Sequence, residues 1–446
     1  MAEVLPFQGI LYNSDKIKHI SDVVTPPYDV ISSDEQDAFY RRHPNNFIRL
    51  DKNKPTDTDT GTDNTHTRAA AFFQNWLKDR VLIQDKDPSF YLTSLEFDVD
   101  GQAMTRYGLI GRVKIEPFER GIVLPHEKTF SKVKTERLAL IKSCHANFSQ
   151  IFSIFSDESG IIGWLKNAVA TMHPVYDFAD DAGHRHQFWR IVESDMLRKV
   201  SEAFKGKKLF IADGHHRYET TLNYKKWLIE TGTDVSEDHP ASYAMMYLCA
   251  IQDPGLIILP THRLATSVPE TSRVEFLQNA ATYFDINDVS FDPTDLIKTQ
   301  QEFRRAMAVA PGEHKIGVFM KDRRTFTILR LRPGMMNMIF GNEIDELHKE
   351  LDVTILTRLI LGQLLGFTDA MLDDENVINF TSNDIKAITA IANGTHDMAF
   401  MLNSTTNRQV QEIAEKGLIM PRKSTYYFPK AISGLVMRSL HSGSKG

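Results

Sequence analysis

Apolar and polar positions along the chain follow two rhythms, and the junction between them is the most informative stretch. Leu209, Phe210, Ile211 and Ala212 form a short apolar run that predicts a buried strand. Asp213 and Gly214 break the run, and apolar residues return at Tyr218, Leu222, Trp227 and Leu228 with roughly helical spacing. The prediction is strand, tight turn, helix. Before it, Phe47–Leu50 looks strand-like, and residues 52–67 are too rich in Thr and Asp to bury anything, so they predict a solvated loop or flap. A helical pattern covers 68–78, and strands over Phe90–Val99 and Arg106–Ile115 flank Asp100-Gly101, a strong hairpin signal. Further strands are expected at Asn147–Phe155, around Phe188–Val192, at Tyr243–Ile251 and at Gly255–Leu259. The last of these puts His262 and Arg263 just beyond a strand end.

From about residue 268 the pattern restarts. Helices are expected over 273–283, 353–365, 383–392 and 410–415, and strands over 315–320, 326–331 and 398–402. The mixture predicts an α/β fold with α+β character. It divides into an N-terminal α/β domain, 1–266, and a C-terminal α+β domain, 267–446.

Composition narrows the function classes. The net charge of -6 argues against general binding to nucleic acid or a membrane surface. No run is long enough to span a membrane, and the first residues lack the basic and apolar regions of a signal peptide, so the expected location is the cytoplasm. Cys144 and Cys249 are the only cysteines and form no CxxC, so neither a disulfide framework nor a cysteine zinc site is expected.

Candidate chemistry gathers at polar junctions. The first amides of a helix have no partner within it, and the helix dipole adds positive charge there, so the start of the helix after Gly214 favours phosphate or carboxylate. Gly214 permits close approach of an anion, Arg217 offers a planar fork, and His215 and His216 lie between them. The plainer alternative makes Asp213 an N-cap and the rest a polar surface.

Pro26-Pro27 fixes a turn that presents Tyr28 and Asp29. His126, Glu127, Lys128, Thr129 and the later Arg137 supply a base, a cation, a hydroxyl and a phosphate fork. His184 and His186 make an HxH pair that no carboxylate completes as a metal site. Arg422, Lys423, Ser424 and Thr425 are anion donors but not a P-loop, because Arg422 stands where the second glycine belongs and a helix precedes them.

VVTPPYDVIS, HEKTF, ADGHHRYET, DPGLIILPTHR and MPRKSTYYFPKAISGL resemble the signatures of the prokaryotic domain-of-unknown-function family 1015. That resemblance implies a ParB/sulfiredoxin-like nucleotide-binding core, in which a G-x-[HR]-R turn holds phosphates. Gly214, His216 and Arg217 match this turn. His215 stands where sulfiredoxin has its catalytic cysteine, which excludes thiol-based sulfinate repair, and His216-Arg217 replaces the Arg-Arg pair of ParB. The implied chemical relatives are kinases of free serine, whose Asp-Gly-x-His-Arg-like turn Asp213 fits.

The implied function is an ATP- or ADP-dependent kinase acting with Mg2+ on the hydroxyl of a free amino acid, most plausibly L-serine. Its expected catalytic residues are Asp213, Glu127, His216 and His126, with Asp213 or Glu127 taking the hydroxyl proton or holding Mg2+. Gly214, His215, His216, Arg217, Lys128, Thr129 and Arg137 would bind nucleotide phosphates. Arg263, Arg422, Lys423, Ser424, Thr425, Tyr28 and Asp29 would meet the substrate. A CTP- or ATP-gated switch that closes as a homodimer, and a phosphatase of small metabolites, are the alternatives.

Overall fold

A computed structural model of the chain describes residues 1–129, 131–290, 295–323 and 325–441. The fold is mixed α/β and divides into two compact units. The first joins Met1–Ile257 to the chain from Pro429 on, and the second is Ile258–Phe428. The first crossing falls short of the predicted 266, and the final segment returns to the first unit instead of staying with the second.

The first unit is built on one nine-stranded sheet. Its strands are β1 (Val4–Leu5), β2 (Phe90–Val99), β3 (Gln102–Lys114), β4 (Val123–Leu124), β5 (Ile151–Phe155), β6 (Tyr176–Ala179), β7 (Arg185–Ile191), β8 (Leu209–Asp213) and β9 (Tyr243–Ala250). The order is β4-β8-β5-β9-β3-β2-β7-β6, with β1 paired to β3. β8 runs parallel to β4 and β9 parallel to β5, and the other pairs are antiparallel. The hairpin of β2 and β3 turns at Asp100 (φ +53°) and Gly101 (φ +81°), the pair of positive values that a tight two-residue turn requires.

Position in the sheet explains the apolar run at the centre of the sequence. β8 lies inside the sheet, between β4 and β5, and Leu209, Phe210, Ile211 and Ala212 are all buried, so both faces of the strand are covered and alternation is lost. Leu209 and Ile211 are fully buried in one cluster with Phe155, Tyr218 and Leu248. Burial of each such side chain contributes about 1.5–3 kcal/mol.

Helices of this unit include α1 (Ser33–Arg42), α2 (Ile48–Asp51), α3 (Thr65–Lys78), α4 (Ser131–Cys144), α5 (Ile161–Val169), α6 (Ser194–Phe204) and α7 (His215–Glu230). Two of them differ from expectation. The strand predicted at Phe47–Leu50 is the short helix α2, because the Asn46 side chain accepts from the Ile48 amide at 3.0 Å and starts a turn. Helix α3 begins at Thr65 instead of Arg68, where Asn64 and Thr67 form a reciprocal capping box.

The second unit has a six-stranded antiparallel sheet of β10 (His262–Ala265), β11 (Phe284–Ser290), β12 (Lys315–Met320), β13 (Thr325–Leu331), β14 (Ile378–Thr381) and β15 (Met398–Met401). Their order is β11-β13-β12-β15-β10-β14. Phe303, Phe319, Phe326, Ile388 and Met401 pack in its core. His262 and Arg263 do follow a strand end, that of Ile257–Leu259, but they also open a second strand, β10, which the sequence pattern did not show. Among the described residues no helix is long and apolar enough to cross a membrane.

Candidate functional site

The turn after β8 is shaped by one irregularity and one glycine. Pairing of β8 with β5 shifts register between Ile211 and Asp213, a bulge of the kind that re-aims a side chain. Gly214 follows in the left-handed region (φ +93°, ψ +30°). A Cβ there would sit 2.8 Å from Arg217 Nε and 2.9 Å from its Cζ, so only glycine lets Arg217 fold back over the turn. Helix α7 then begins. Its first bond runs from the Tyr218 amide to the Gly214 carbonyl at 3.0 Å, so the amides of His215, His216 and Arg217 precede the helical ladder. The buried Tyr218 anchors the helix, its hydroxyl donating to Glu116 O at 2.8 Å.

Asp213 organises the cations around this turn. Its Oδ2 accepts from Arg217 Nη2 at 2.5 Å, and its Oδ1 from Lys430 Nζ at 2.5 Å. Arg217 Nη1 also donates to the Gln150 carbonyl. Burial alone would push the Asp213 carboxyl up, but Lys430 and Arg217 outweigh it and hold the group well below the usual carboxylate range. A carboxylate so stabilised is a poor proton acceptor, and each of its oxygens already faces a cation. This corrects two expectations: Asp213 is suited neither to general base nor to Mg2+ ligand, and it is no N-cap, since Gly214 holds that position. Its role is to hold Arg217 and Lys430.

The two histidines beside it are fixed and neutral. His215 Nε2 accepts from the His126 amide at 3.2 Å, which puts the His215 proton on Nδ1. That nitrogen stands 3.8 Å from Glu127 Oε2. The two imidazoles meet edge to face with centroids 4.7 Å apart. Burial pushes His126 down to about 4 and His215 well below its ordinary value, so both are uncharged at neutral pH. His126, expected to be catalytic, is buried and shapes the site instead. His216 is half-buried and also lowered, chiefly by burial.

The HEKTF stretch does reach helix α7, through a residue that the sequence pattern did not single out. Glu219 accepts from Thr129 Oγ1 at 2.7 Å and from Lys134 Nζ at 2.6 Å. Lys128 is exposed, and Phe130 lies outside the described residues. Thr129 is thus a tether between elements.

Arg137 is also engaged elsewhere. Its Nη1 donates to Asp51 Oδ1 at 3.0 Å, its Nε and Nη2 to the Glu136 carboxylate at 2.7 and 2.6 Å, and its Cζ lies 4.0 Å from the centre of the Tyr28 ring. Burial opposes its charge, but Glu136 and Asp51 more than compensate and raise its pKa. The expected phosphate fork is a buried hub joining α2, α4 and the Pro26-Pro27 turn. Lys52 Nζ secures that turn by donating to Tyr28 O at 3.0 Å, while Asp29 stays exposed.

The HxH pair has a local explanation. His184 Nδ1 and His186 Nε2 meet Asp180 Oδ2 at 3.2 and 2.9 Å, and His186 is buried, not exposed as a strand histidine would be. Among the described residues no group of three or more His, Cys, Asp or Glu side chains forms a metal site.

In the second unit, Arg263 is buried and donates to the carbonyls of Thr261, Arg422 and Lys423, the last two at 2.9 and 3.0 Å. It holds the Arg422–Thr425 loop by its backbone, which replaces its expected role on a substrate carboxylate. Ser424 Oγ donates to Pro421 O at 2.5 Å, Arg422 Nη2 meets Glu375 Oε1 at 2.8 Å, and Lys423 is exposed with φ +56°. His262 uses both ring nitrogens, Nδ1 accepting from the Leu402 amide and Nε2 donating to Asp384 at 2.7 Å.

Comparison with solved structures returns distant likenesses. A free serine kinase in complex with AMP is 11% identical with a TM-score of 0.33, covering 68% of this chain and 83% of that one. A conserved hypothetical protein from Pyrococcus furiosus is 12% identical with a TM-score of 0.29, covering 70% and 91%. SbnI with a C-terminal truncation, from Staphylococcus aureus, is 9% identical with a TM-score of 0.30, covering 71% and 84%. No curated protein matches the chain. The family model for proteins of unknown function, DUF1015, matches residues 4–354, stopping short of the Met420–Lys430 stretch, and by that match the chain belongs to the DUF1015 family.

Proposed function

We propose that the first unit binds the phosphates of a nucleotide at the start of helix α7 and transfers the terminal phosphoryl group to the hydroxyl of a small amino acid, L-serine being the leading candidate. The observation that carries the proposal is the set Asp213, Arg217 and Lys430 at the left-handed Gly214 turn. Three amides ahead of the helical ladder, the positive end of the dipole and two cations held by one carboxylate make a preorganised anion cradle. Phosphoryl transfer depends on positioning and charge neutralisation more than on covalent chemistry, which suits such a set. The match of Gly214, His216 and Arg217 to the phosphate-holding turn of the ParB/sulfiredoxin-like proteins supports the same assignment.

In this scheme the acceptor hydroxyl oxygen attacks the terminal phosphorus and forms a new P–O bond. The bond to the bridging oxygen breaks, and the nucleotide leaves one phosphate shorter. Glu127, half-buried beside the neutral His215, takes the hydroxyl proton. Mg2+ would be carried in by the phosphates, and Asp213 is no ligand for it, since both its oxygens face cations.

The experiment is incubation of the full chain with Mg2+, ATP or ADP and single amino acids, with mass spectrometry of the products. Phosphoserine formation that Glu127→Gln abolishes while nucleotide affinity is kept, and nucleotide affinity that Arg217→Ala weakens with the fold intact, are expected. Unchanged affinity in Arg217→Ala would refute the cradle. Nucleotide bound with no phosphorylated acceptor would reassign the unit as a switch.

A further inference from the structure

The first unit contains a cavity of about 50 Å³ that shares Arg217 with the anion cradle but is not lined by Asp213 or Lys430. About one probe sphere, 10–15 Å³ on this measure, holds a water, so the space takes several heavy atoms. Asp51, Arg137, Arg217 and Thr220 line it, with Leu140 and Met245 among its apolar walls.

Two of the polar side chains are incompletely satisfied. Asp51 and Thr220 are each 3% exposed, yet Asp51 Oδ2 and Thr220 Oγ1 make no hydrogen bond. A buried polar atom left unmatched is costly, more so when it is charged. Asp51 Oδ1 is taken by Arg137, and burial is the largest influence on this carboxyl, pushing it up. Arg217 uses two of its five N–H donors, on Gln150 and Asp213.

The lining therefore asks for both signs of charge within a few ångströms. A lone cation would meet two guanidiniums, and a lone anion would meet the open oxygen of Asp51. We propose that this cavity is a binding site for a small α-amino-acid zwitterion, its ammonium received by Asp51 Oδ2 and Thr220 Oγ1 and its carboxylate by the guanidinium of Arg217. With about 50 Å³ available and Leu140 and Met245 among the walls, the smallest side chains, as in glycine, alanine or serine, are the ones to test. Because Arg217 borders both the cavity and the cradle, the site deepens the phosphotransfer proposal by locating its acceptor, and it rests on that proposal only for the fate of the bound molecule.

The test is titration calorimetry of the full chain with glycine, L-alanine and L-serine. The same molecules stripped of one charge, ethanolamine and lactate, are titrated alongside, and ATP is titrated separately. The amino acids are expected to bind and the stripped analogues to bind roughly tenfold weaker or worse, each having lost a charged hydrogen bond. Thr220→Val should weaken amino-acid binding several-fold with ATP affinity unchanged. No binding of any amino acid to the wild-type chain, or equal binding of the analogues, overturns the site and leaves a cavity that holds water only. The two proposals fail separately. Amino acids bound by a chain that binds neither ATP nor ADP would refute the kinase and keep the pocket, whereas phosphoserine formed with Asp51→Asn and Thr220→Val showing unchanged serine affinity would do the reverse.

Discussion

Asp213 Oδ2 and Arg217 Nη2 meet at 2.5 Å, one helical turn apart, over a glycine that has no room for a Cβ. The strand end, the turn and the helix start are thereby locked into one unit.

Gly214→Ala should break that unit. The left-handed conformation costs an alanine about 1–2 kcal/mol, and the new methyl would displace Arg217 from Asp213. A lowered urea midpoint together with weakened nucleotide affinity is expected. Wild-type affinity at reduced stability would mean that Arg217 is not part of the cradle.

Lys430→Met should uncover the acid sensitivity of Asp213. The carboxyl is held below its unfolded value, so it contributes stability that is present above the ordinary carboxylate range and is lost as pH falls through the folded value. With Lys430 gone that depression shrinks. Breaking a buried pair from one side costs about 3 kcal/mol at neutral pH, and acid unfolding should begin at higher pH than in the wild type. Circular dichroism against pH reads both effects.

His126→Gln should flatten the loss of stability in mild acid, above the range in which Asp213 titrates. His126 falls from its ordinary 6.5 to about 4 through burial, so in mild acid the unfolded chain binds a proton that the folded chain does not. Stability is therefore full above pH 6.5 and declines as pH drops toward about 4, by about 3 kcal/mol at most. The variant should lose less stability than the wild type between those limits in denaturant titrations. An identical slope would show that His126 is not the group responsible.

Arg263→Lys separates a structural arginine from one that binds substrate. One ammonium cannot serve the carbonyls of Thr261, Arg422 and Lys423 together, so the melting temperature should fall by an amount reflecting about 1–3 kcal/mol. The KM for the acceptor should stay as it was. A raised KM at full stability would restore Arg263 to the substrate.

Signals confined to neighbouring residues were legible in the chain. Leu209–Ala212 is a strand because four apolar residues stop at Asp213-Gly214, and Asp100-Gly101 makes its hairpin because both residues accept positive φ. Helix α2 was misread because four residues carry no period, and the Asn46 side chain decides between strand and turn. The residues around the junction were legible as a group, but their roles were not. Whether an arginine grips a ligand or a carbonyl depends on partners far along the chain. Arg137 finds Asp51 86 residues away, and Arg263 finds the Arg422 carbonyl 159 residues away. Glu219 was missed although it stands inside the ADGHHRYET motif one turn beyond His215, because its partners Thr129 and Lys134 lie 90 and 85 residues away.

The Asp213–Lys430 pair spans 217 residues, and the whole second unit is threaded between its two members. At ordinary rates of synthesis, Lys430 leaves the ribosome roughly 10–45 s after Asp213. Through that interval the buried carboxylate has only one of its cations. A nascent chain interrupted anywhere in the second unit can build most of the nine-stranded sheet and still lack the ammonium that completes the anion cradle. Prematurely ended products would then carry Asp213 and Arg217 without the Lys430 partner.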